Sequence, residues 1–575
     1  MTLIDRQDPA ETTAPTRNTD YDPSVLKSVF ETHFTWAAAV ERNTHRYASR
    51  TAITEPQTGR SWSYAELGRV TGSLVAGLAA HGVGVGDIVA YQLMNRAEFA
   101  FLYVAPQGLR AVSSPMNFRL APAETAFILN QSKPKIFFFE ASQSADVSAA
   151  LGLAEYTPPT LVAVGEVPAD VAPVPGALTF DDLLVDGSRS FTAAPGANVW
   201  DETSRLYTSG TTGMPKAVPL TSLNEMLTAH DVTMHFPLGP ADRTLNMSPW
   251  FHRGGNYCAG PNTAFFVGAE VVCLPQFDPD TVLDYVEKYR LTYVVGAPTN
   301  LERLADAQEA TPRDLSSLSG IVTMGAPLDR AAALRYQRVL TQRIANGYGT
   351  TEAFWNTYLR PEDLPDAAGA AGRANLDDDV AVVRVQSDRI SAPEELAAKD
   401  GHEIGEVIMR TVKSGYAYVD NPEEEAAKFR DGWMYPGDLA SWDENEIITI
   451  VGRKDDMIIS GGENVHPVQV EEVLAQHPDV ADSIVTALAD PEWGELVVAY
   501  VRPRDGRASD AQGLATALDA FCKESVSLAD YKRPRRYAIV DQLPYTATGK
   551  KQHFVMKKQA AADAAAGRFI SPANR

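Results

Sequence analysis

Residues suited to phosphate chemistry gather in one stretch, Tyr207-Thr-Ser-Gly-Thr-Thr-Gly-Met-Pro-Lys216. Thr208, Ser209, Thr211 and Thr212 surround Gly210 and Gly213, and a proline and Lys216 close the run. Glycine lets the backbone take positive φ and approach a ligand closely. Successive N–H groups in such a turn form a concave anion site. With the hydroxyls and one ammonium, the composition suits a polyphosphate. The spacing is not the G-x-x-x-x-G-K-[ST] of a P-loop, and an ordinary polar turn after a strand would have the same composition. A second Gly/Thr turn, Asn346-Gly-Tyr-Gly-Thr-Thr-Glu352, carries one carboxylate. Mg2+ prefers oxygen ligands and shared phosphates, although a lone Glu after a turn is also commonly just solvated. Ser248-Pro-Trp-Phe-His252-Arg-Gly-Gly-Asn256 mixes aromatic rings, a histidine and glycines, as ligand-lining segments do. A satisfied core or surface histidine is the plain alternative for His252.

These stretches need a large frame. At 575 residues the chain exceeds one core, so two or more domains are expected. Its 45% hydrophobic content is that of an ordinary globular protein. Lys+Arg number 51 and Asp+Glu 74, a net charge of -23, which argues against a nucleic-acid surface. An anionic substrate therefore needs a local positive site. Cys258, Cys273 and Cys522 lie far apart, which suggests neither a disulfide framework nor a zinc site and fits a reducing cytoplasm. The polar segment Met1 to Pro23 lacks the apolar core of a signal peptide. No apolar run is long enough for a membrane span.

In chain order, residues 1–27 read as a disordered or loosely docked arm, rich in Thr, Asp and Pro. Phe30, Phe34, Ala37 and Val40 predict a helix within 29–47, and Ser63 caps one running to Gly82. Strands at 52–54, 87–93 and 135–139 alternate with helices such as 97–111, which predicts a parallel or mixed sheet covered by helices. The Pro-rich stretch 156–175 reads as loop and edge structure. A strand at 204–207 enters the phosphate-loop candidate, and a helix covers 222–235. Tyr293–Pro298 and Gly320–Pro327 are further strand-plus-turn units. From about Gly401 the pattern becomes β-rich, with strands at 405–410 and 446–451 flanking Asp431-Gly-Trp-Met-Tyr-Pro-Gly-Asp438. The polar run Gly452–Asp456 suits a domain boundary. A small α+β unit follows, with strands at 457–460, 482–488, 496–501 and 536–540 and helices at 467–475 and 514–522. The Ala-rich tail after Lys558 is expected to fray.

Five of these stretches, Tyr207–Lys216, Tyr348–Glu352, Tyr435–Asp438, Gly452–Asp455 and Thr548–Lys550, occur in the order found in the adenylate-forming acyl-CoA synthetase superfamily. The chain resembles that superfamily from about residue 30 to residue 556. The resemblance implies an α/β fold: a large N-terminal domain of mixed sheets flanked by helices with a β-rich subdomain (28–452), a hinge (453–455) and a small mobile α+β lid (456–575). It implies an ATP-dependent reaction in two halves: a carboxylate attacks the α-phosphate, then a thiol, usually of CoA, displaces AMP.

Roles follow from the resemblance residue by residue. Thr208 to Lys216 cradle the β- and γ-phosphates, and Glu352, with Thr208, binds Mg2+. Tyr348, in the turn Asn346-Gly347-Tyr348-Gly349-Thr350, lies against one adenine face and Gly325-Ala326-Pro327 on the other. Thr351 reaches the α-phosphate, Asp438 accepts from the ribose hydroxyls, and Arg453 helps at ribose or phosphate. Lys550 bridges the attacking carboxylate and the α-phosphate. Asp455 is the hinge, and His252 gates the acyl pocket.

The wording Gly452-Arg-Lys-Asp-Asp-Met-Ile-Ile-Ser-Gly-Gly-Glu-Asn-Val-His-Pro is especially similar to aryl-CoA ligases such as chlorobenzoate:CoA ligase. In that group Gly461, Gly462, Glu463 and Trp493 would surround CoA, with Arg533 and Arg535 on its phosphates and Arg119 as a weaker candidate. Trp250, Asn256, Ala297, Met324 and Phe354 would line the acyl pocket, and their aromatic character suggests a substituted benzoate or related acid. Arg253 stands where an apolar residue is more usual, and either meets a polar substituent or faces solvent. Fatty-acid ligases and enzymes loading a carrier protein share the frame. The implied partners are the acid, ATP and CoA, with a carrier protein and a homodimer left open.

Overall fold

The computed structural model describes residues 22–572 apart from 210–213, 327, 387–388, 461–462, 492, 505–509, 526–527 and 546–550. Two large sheets carry the N-terminal part. The first orders its seven strands as Leu178–Thr179, Thr160–Val164, Ile136–Glu140, Ile88–Gln92, Val112–Pro115, Glu202–Ser209 and Pro215–Thr221. All neighbours run parallel except the last two, an antiparallel pair with Thr208 opposite Lys216. The second sheet has nine strands: its inner pairs, from Thr51–Glu55 to Ile344–Thr350, are parallel and its edges antiparallel.

Parallel strands covered on both faces read as continuous apolar runs. Ile136-Phe-Phe-Phe shows why: Ile136 and Phe138 point into one core, Phe137 and Phe139 into another. The larger core also takes Ile53, Val271, Val295 and Val322 from the second sheet, so both sheets share it. Helices Trp36–Arg46 and Tyr64–Ala80 contribute Trp36, Val40, Leu67 and Leu74 to it. The capping box at Ser63 and Glu66 fixes the start of the second of these helices.

A third, β-rich sheet is built from Asp378–Arg384, Gly405–Thr411, Phe429–Arg430, Trp433–Met434, Asp438–Trp442 and Ile448–Arg453. The turn Lys454–Asp456 leads to the fourth sheet, five strands of the C-terminal unit, packed with helices Pro467–Ala475, Ala511–Glu524 and His553–Ala565. The architecture is thus α/β with several mixed sheets, a β-rich unit and a small α+β unit.

Three segments differ from expectation. The helix expected across 29–47 is two, Ser24–His33 and Trp36–Arg46, because extended Thr35 caps the second by accepting from Ala38 N–H at 3.2 Å. The helix from Ala97 ends at Val104 and tightens into a 3-10 turn, Ala105–Leu109, where Pro106 removes an N–H. The tail does not fray after Lys558: the helix His553–Ala565 buries Met556 and Ala560 at helical spacing, and its Asp563 accepts from Tyr500 Oη at 2.9 Å.

Candidate functional site

A cavity of about 510 Å³ opens beyond the carboxyl ends of the parallel strands, the usual place for a ligand in an α/β sheet. Asn117, Ser248, Gly325 and Thr351 each follow a strand end and line it. With them stand Thr208, Phe251, His252, Met324, Gly347, Gly349, Thr350 and Phe354. Nine expected site residues are therefore gathered at one cavity: Thr208, His252, Met324, Gly325, Gly347, Gly349, Thr350, Thr351 and Phe354. Ser209 ends a strand, and Ala326 follows Gly325 in the same turn. Gly210, Thr211, Thr212, Gly213 and Pro327 lie outside the described residues.

The turn after Ile344–Thr350 depends on a glycine. A Cβ on Gly349 would stand 1.6 Å from Phe354 O, so only glycine lets the chain fold back into the strand Phe354–Leu359. Thr350 Oγ1 accepts from Ala353 N–H at 3.2 Å and holds that turn. Tyr348 is placed so that its hydroxyl donates to Asp438 Oδ2 at 2.6 Å, while Arg453 Nη1 donates to Asp438 Oδ1 at 2.8 Å. Burial and the adjoining carboxylate both push the Tyr348 phenol well above its ordinary value, so it stays a donor. A carboxylate has about four acceptor sites, so Asp438 keeps capacity for further donors. Asn346 is 4% exposed, and its Oδ1 has no partner among the described residues, a polar atom suited to a ligand or water.

Glu352 accepts from Tyr418 Oη at 2.6 Å, and burial and Glu352 raise the Tyr418 phenol. Lys216 Nζ lies 2.6 Å from Glu424 Oε2 and 5.8 Å from the Tyr418 ring centroid. Neither Tyr418 nor Glu424 carried a signal in the sequence.

The acyl end differs in detail. Gly254 walls the cavity closely against Met324: a Cβ there would meet Met324 Sδ at 2.7 Å. Trp250, Asn256 and Ala297 do not line the cavity; they are buried behind it, Trp250 edge-on to Phe99 at 5.7 Å. The short helix Arg253–Tyr257 turns Gly254 and Gly255 toward the space instead. His252 caps that helix and packs on Phe251 at 4.1 Å.

Arg253 does not face solvent. It is 2% exposed, and its guanidinium donates to Thr351 O at 2.9 Å, Lys413 O at 2.6 Å and Thr228 Oγ1 at 3.2 Å. Burial pulls it down to about 10, still charged at neutral pH. Lys413 in turn bonds Asp231 Oδ2 at 2.8 Å and Asp378 Oδ2 at 2.6 Å, and Asp231 accepts from Trp355 Nε1. A buried polar web thus fixes Thr351 and Trp355 from behind.

The C-terminal unit closes the cavity. Lys550 lies outside the described residues, but its flanks Tyr545 and Gln552 both line the space. Tyr545 and Lys551 pair as an antiparallel bridge across the gap. Lys551 Nζ is anchored to Glu471 Oε2 at 3.0 Å and Asp482 Oδ1 at 2.8 Å, and His553 Nε2 lies 2.7 Å from Glu471 Oε1. Of the expected CoA residues, Gly461 and Gly462 lie outside the described residues. Glu463 is exposed at the start of a short strand, and lines a separate cavity with Tyr531 and Lys532. Arg533 is paired with Asp519 and with Asp530, the latter at 2.7 Å; Arg535 stacks on Trp493 at 5.5 Å and lies farther from Asp530, 4.0 Å from its Oδ2. Arg119 lines the main cavity. Asp455, in the turn Lys454–Asp456, is exposed.

The fold is that of the adenylate-forming ligases. Residues 40–416 match the family model of the AMP-binding enzyme, and residues 469–550 match the AMP-binding enzyme C-terminal domain. The chain belongs to the AMP-binding enzyme family. The indoleacetate–CoA ligase of Aromatoleum aromaticum is 33% identical over 523 residues, 89% of this chain and 95% of that protein. The medium-chain fatty-acid–CoA ligase of Escherichia coli is 30% identical over 509 residues, 87% and 86% of the two chains. The solved anthranilate CoA ligase in complex with anthranoyl-AMP aligns with a TM-score of 0.82 at 26% identity, covering 92% of this chain and 98% of its own. The superfamily resemblance read from the motifs therefore holds, with aryl-acid ligases among the relatives. The protein is an acid–thiol ligase of the AMP-forming type, and ATP, a small carboxylic acid and CoA fit it as substrates. Among the described residues no helix is long and apolar enough to cross a membrane.

Proposed function

We propose that the protein couples an aryl acid to CoA through an acyl-adenylate. The observation that carries this is the cavity itself, where Thr208, Gly325, Thr350 and Thr351 face His252, Met324 and Phe354 beneath Tyr545 and Gln552. The chemical obstacle is repulsion between a carboxylate and a polyphosphate. Oriented donors and positive charge in a water-poor site relieve it. Lys216 and the backbone of the phosphate loop hold the β- and γ-phosphates. Asp438 takes the ribose, with Arg453 and Tyr348 fixing its orientation, and Tyr348 packs on the adenine. Lys550 meets the developing charge at the α-phosphate, and loses that contact when the lid turns about Asp455. Glu352 and Thr208 would hold Mg2+, which supplies charge neutralisation on the phosphates.

The flat rings of Phe251, Phe354 and Trp355 favour an aromatic acid over an alkyl chain. Arg535 stacked on Trp493 supports a CoA phosphate site at that pair. Three free, buried thiols agree with a reducing compartment such as the cytoplasm. The test is an acid panel with ATP and Mg2+, with and without CoA, following pyrophosphate and acyl-CoA separately. An aryl acid giving both products is expected. A fatty acid as best substrate overturns the acyl assignment, and pyrophosphate release without acyl-CoA moves the acceptor to a carrier protein.

A further inference from the structure

Lys216 is already engaged. Its Nζ lies 2.6 Å from Glu424 Oε2, with the lysine side chain 7% exposed and the glutamate 22%. The same ammonium stands over the Tyr418 ring, whose hydroxyl donates to Glu352 Oε1 at 2.6 Å. Tyr418 N–H donates to Glu425 Oε2 at 3.0 Å. One tied segment, Tyr418 to Glu425, therefore holds both the lysine of the phosphate loop and the carboxylate of the second turn. Glu423, Glu424 and Glu425 all sit in the first turn of the helix Pro422–Lys428, so the segment is strongly anionic.

A polyphosphate and this carboxylate compete for the same ammonium. Partly buried charges are weakly screened, so Glu424 also repels the incoming anion. We propose that Glu424 is the resting partner of Lys216, exchanged for phosphate oxygens each time ATP binds and restored when pyrophosphate leaves. The contact thus weakens ATP and pyrophosphate together and speeds clearance of the second. This rests on the assignment of Lys216 to the phosphates.

The experiment is a double-mutant cycle with two readouts: calorimetric binding of ATP with Mg2+ in the absence of acid, and inhibition of acyl-CoA formation by pyrophosphate. Glu424→Gln is isosteric and should lower the Kd for ATP and the inhibition constant for pyrophosphate by on the order of tenfold each. Glu424→Asp withdraws the charge by one methylene and should shift both in the same direction by less. In a Lys216→Ala background Glu424→Gln should shift both by much less, because only the direct repulsion is then relieved. Unchanged or raised constants in Glu424→Gln overturn the exchange, as does a drop that persists at full size without Lys216. If Lys216→Ala leaves ATP binding intact, the assignment of Lys216 falls and takes the exchange with it. If Lys216→Ala weakens ATP while Glu424→Gln does nothing, the exchange alone falls.

Discussion

Replacing Arg253 separates a brace from a substrate contact. Arg253→Met keeps length and bulk but deletes the bonds to Thr351 O, Lys413 O and Thr228 Oγ1. Two backbone carbonyls then lose their donor inside the protein, at about 1–3 kcal/mol each. Relief of the buried guanidinium's own desolvation offsets a minor part of that, because the guanidinium is well satisfied by its three acceptors. A net destabilisation of about 1–4 kcal/mol is expected, read by urea unfolding. The Thr351 turn loses its rear support, so kcat should fall by on the order of tenfold or more, because misplacement by about 1 Å is costly to an oriented reaction. KM for the acid should move little. Unchanged stability, with the loss confined to KM for the acid, would show that Arg253 meets the substrate and would refute the brace.

Three further outcomes follow from the C-terminal unit. Lys551→Ala removes the anchors to Glu471 and Asp482 beside Lys550, so adenylation should fall by more than about tenfold while thiolation of supplied acyl-adenylate persists; equal loss in both halves contradicts an anchor. Burial works against the proton on His553, but Glu471 outweighs it and the imidazole is raised. Its contribution, about 1–3 kcal/mol, is full below the unfolded value near 6.5 and is lost as pH rises through the folded one. The stability gap between the native protein and His553→Gln should therefore shrink with rising pH, and a gap that widens contradicts the pair. Because Asp519 and Asp530 already pair with Arg533, Arg535→Ala should raise KM for CoA more than Arg533→Ala, with dephospho-CoA less affected; the reverse order places the phosphates on Arg533.

Much of the frame was legible because apolar runs and caps are local. The helices Ser222–His235 and Pro467–Ala475 fall where Thr221 and Pro467 mark their starts. The two Gly/Thr turns were readable only as part of the ordered set of five motifs, because either turn alone has the composition of an ordinary polar loop. What escaped depends on distant chain. Tyr418 reaches Glu352 across 66 residues, and Arg253 finds Lys413 across 160, with no periodicity linking either pair. Trp250 and Asn256 seemed pocket residues by composition, but the short helix Arg253–Tyr257 decides which side chains face the space. The Ala-rich tail seemed too weak to hold a helix, yet packing of Met556 and Ala560 against the last sheet supplies what propensity does not.

The most direct test of the acyl-adenylate route is isotopic. An accepted acid carrying oxygen-18 in its carboxylate is turned over with ATP, Mg2+ and CoA, and the AMP is weighed by mass spectrometry. Attack of the carboxylate on the α-phosphate predicts that one labelled oxygen stays on AMP in each turnover. AMP without label, or label in orthophosphate alongside ADP, would contradict it.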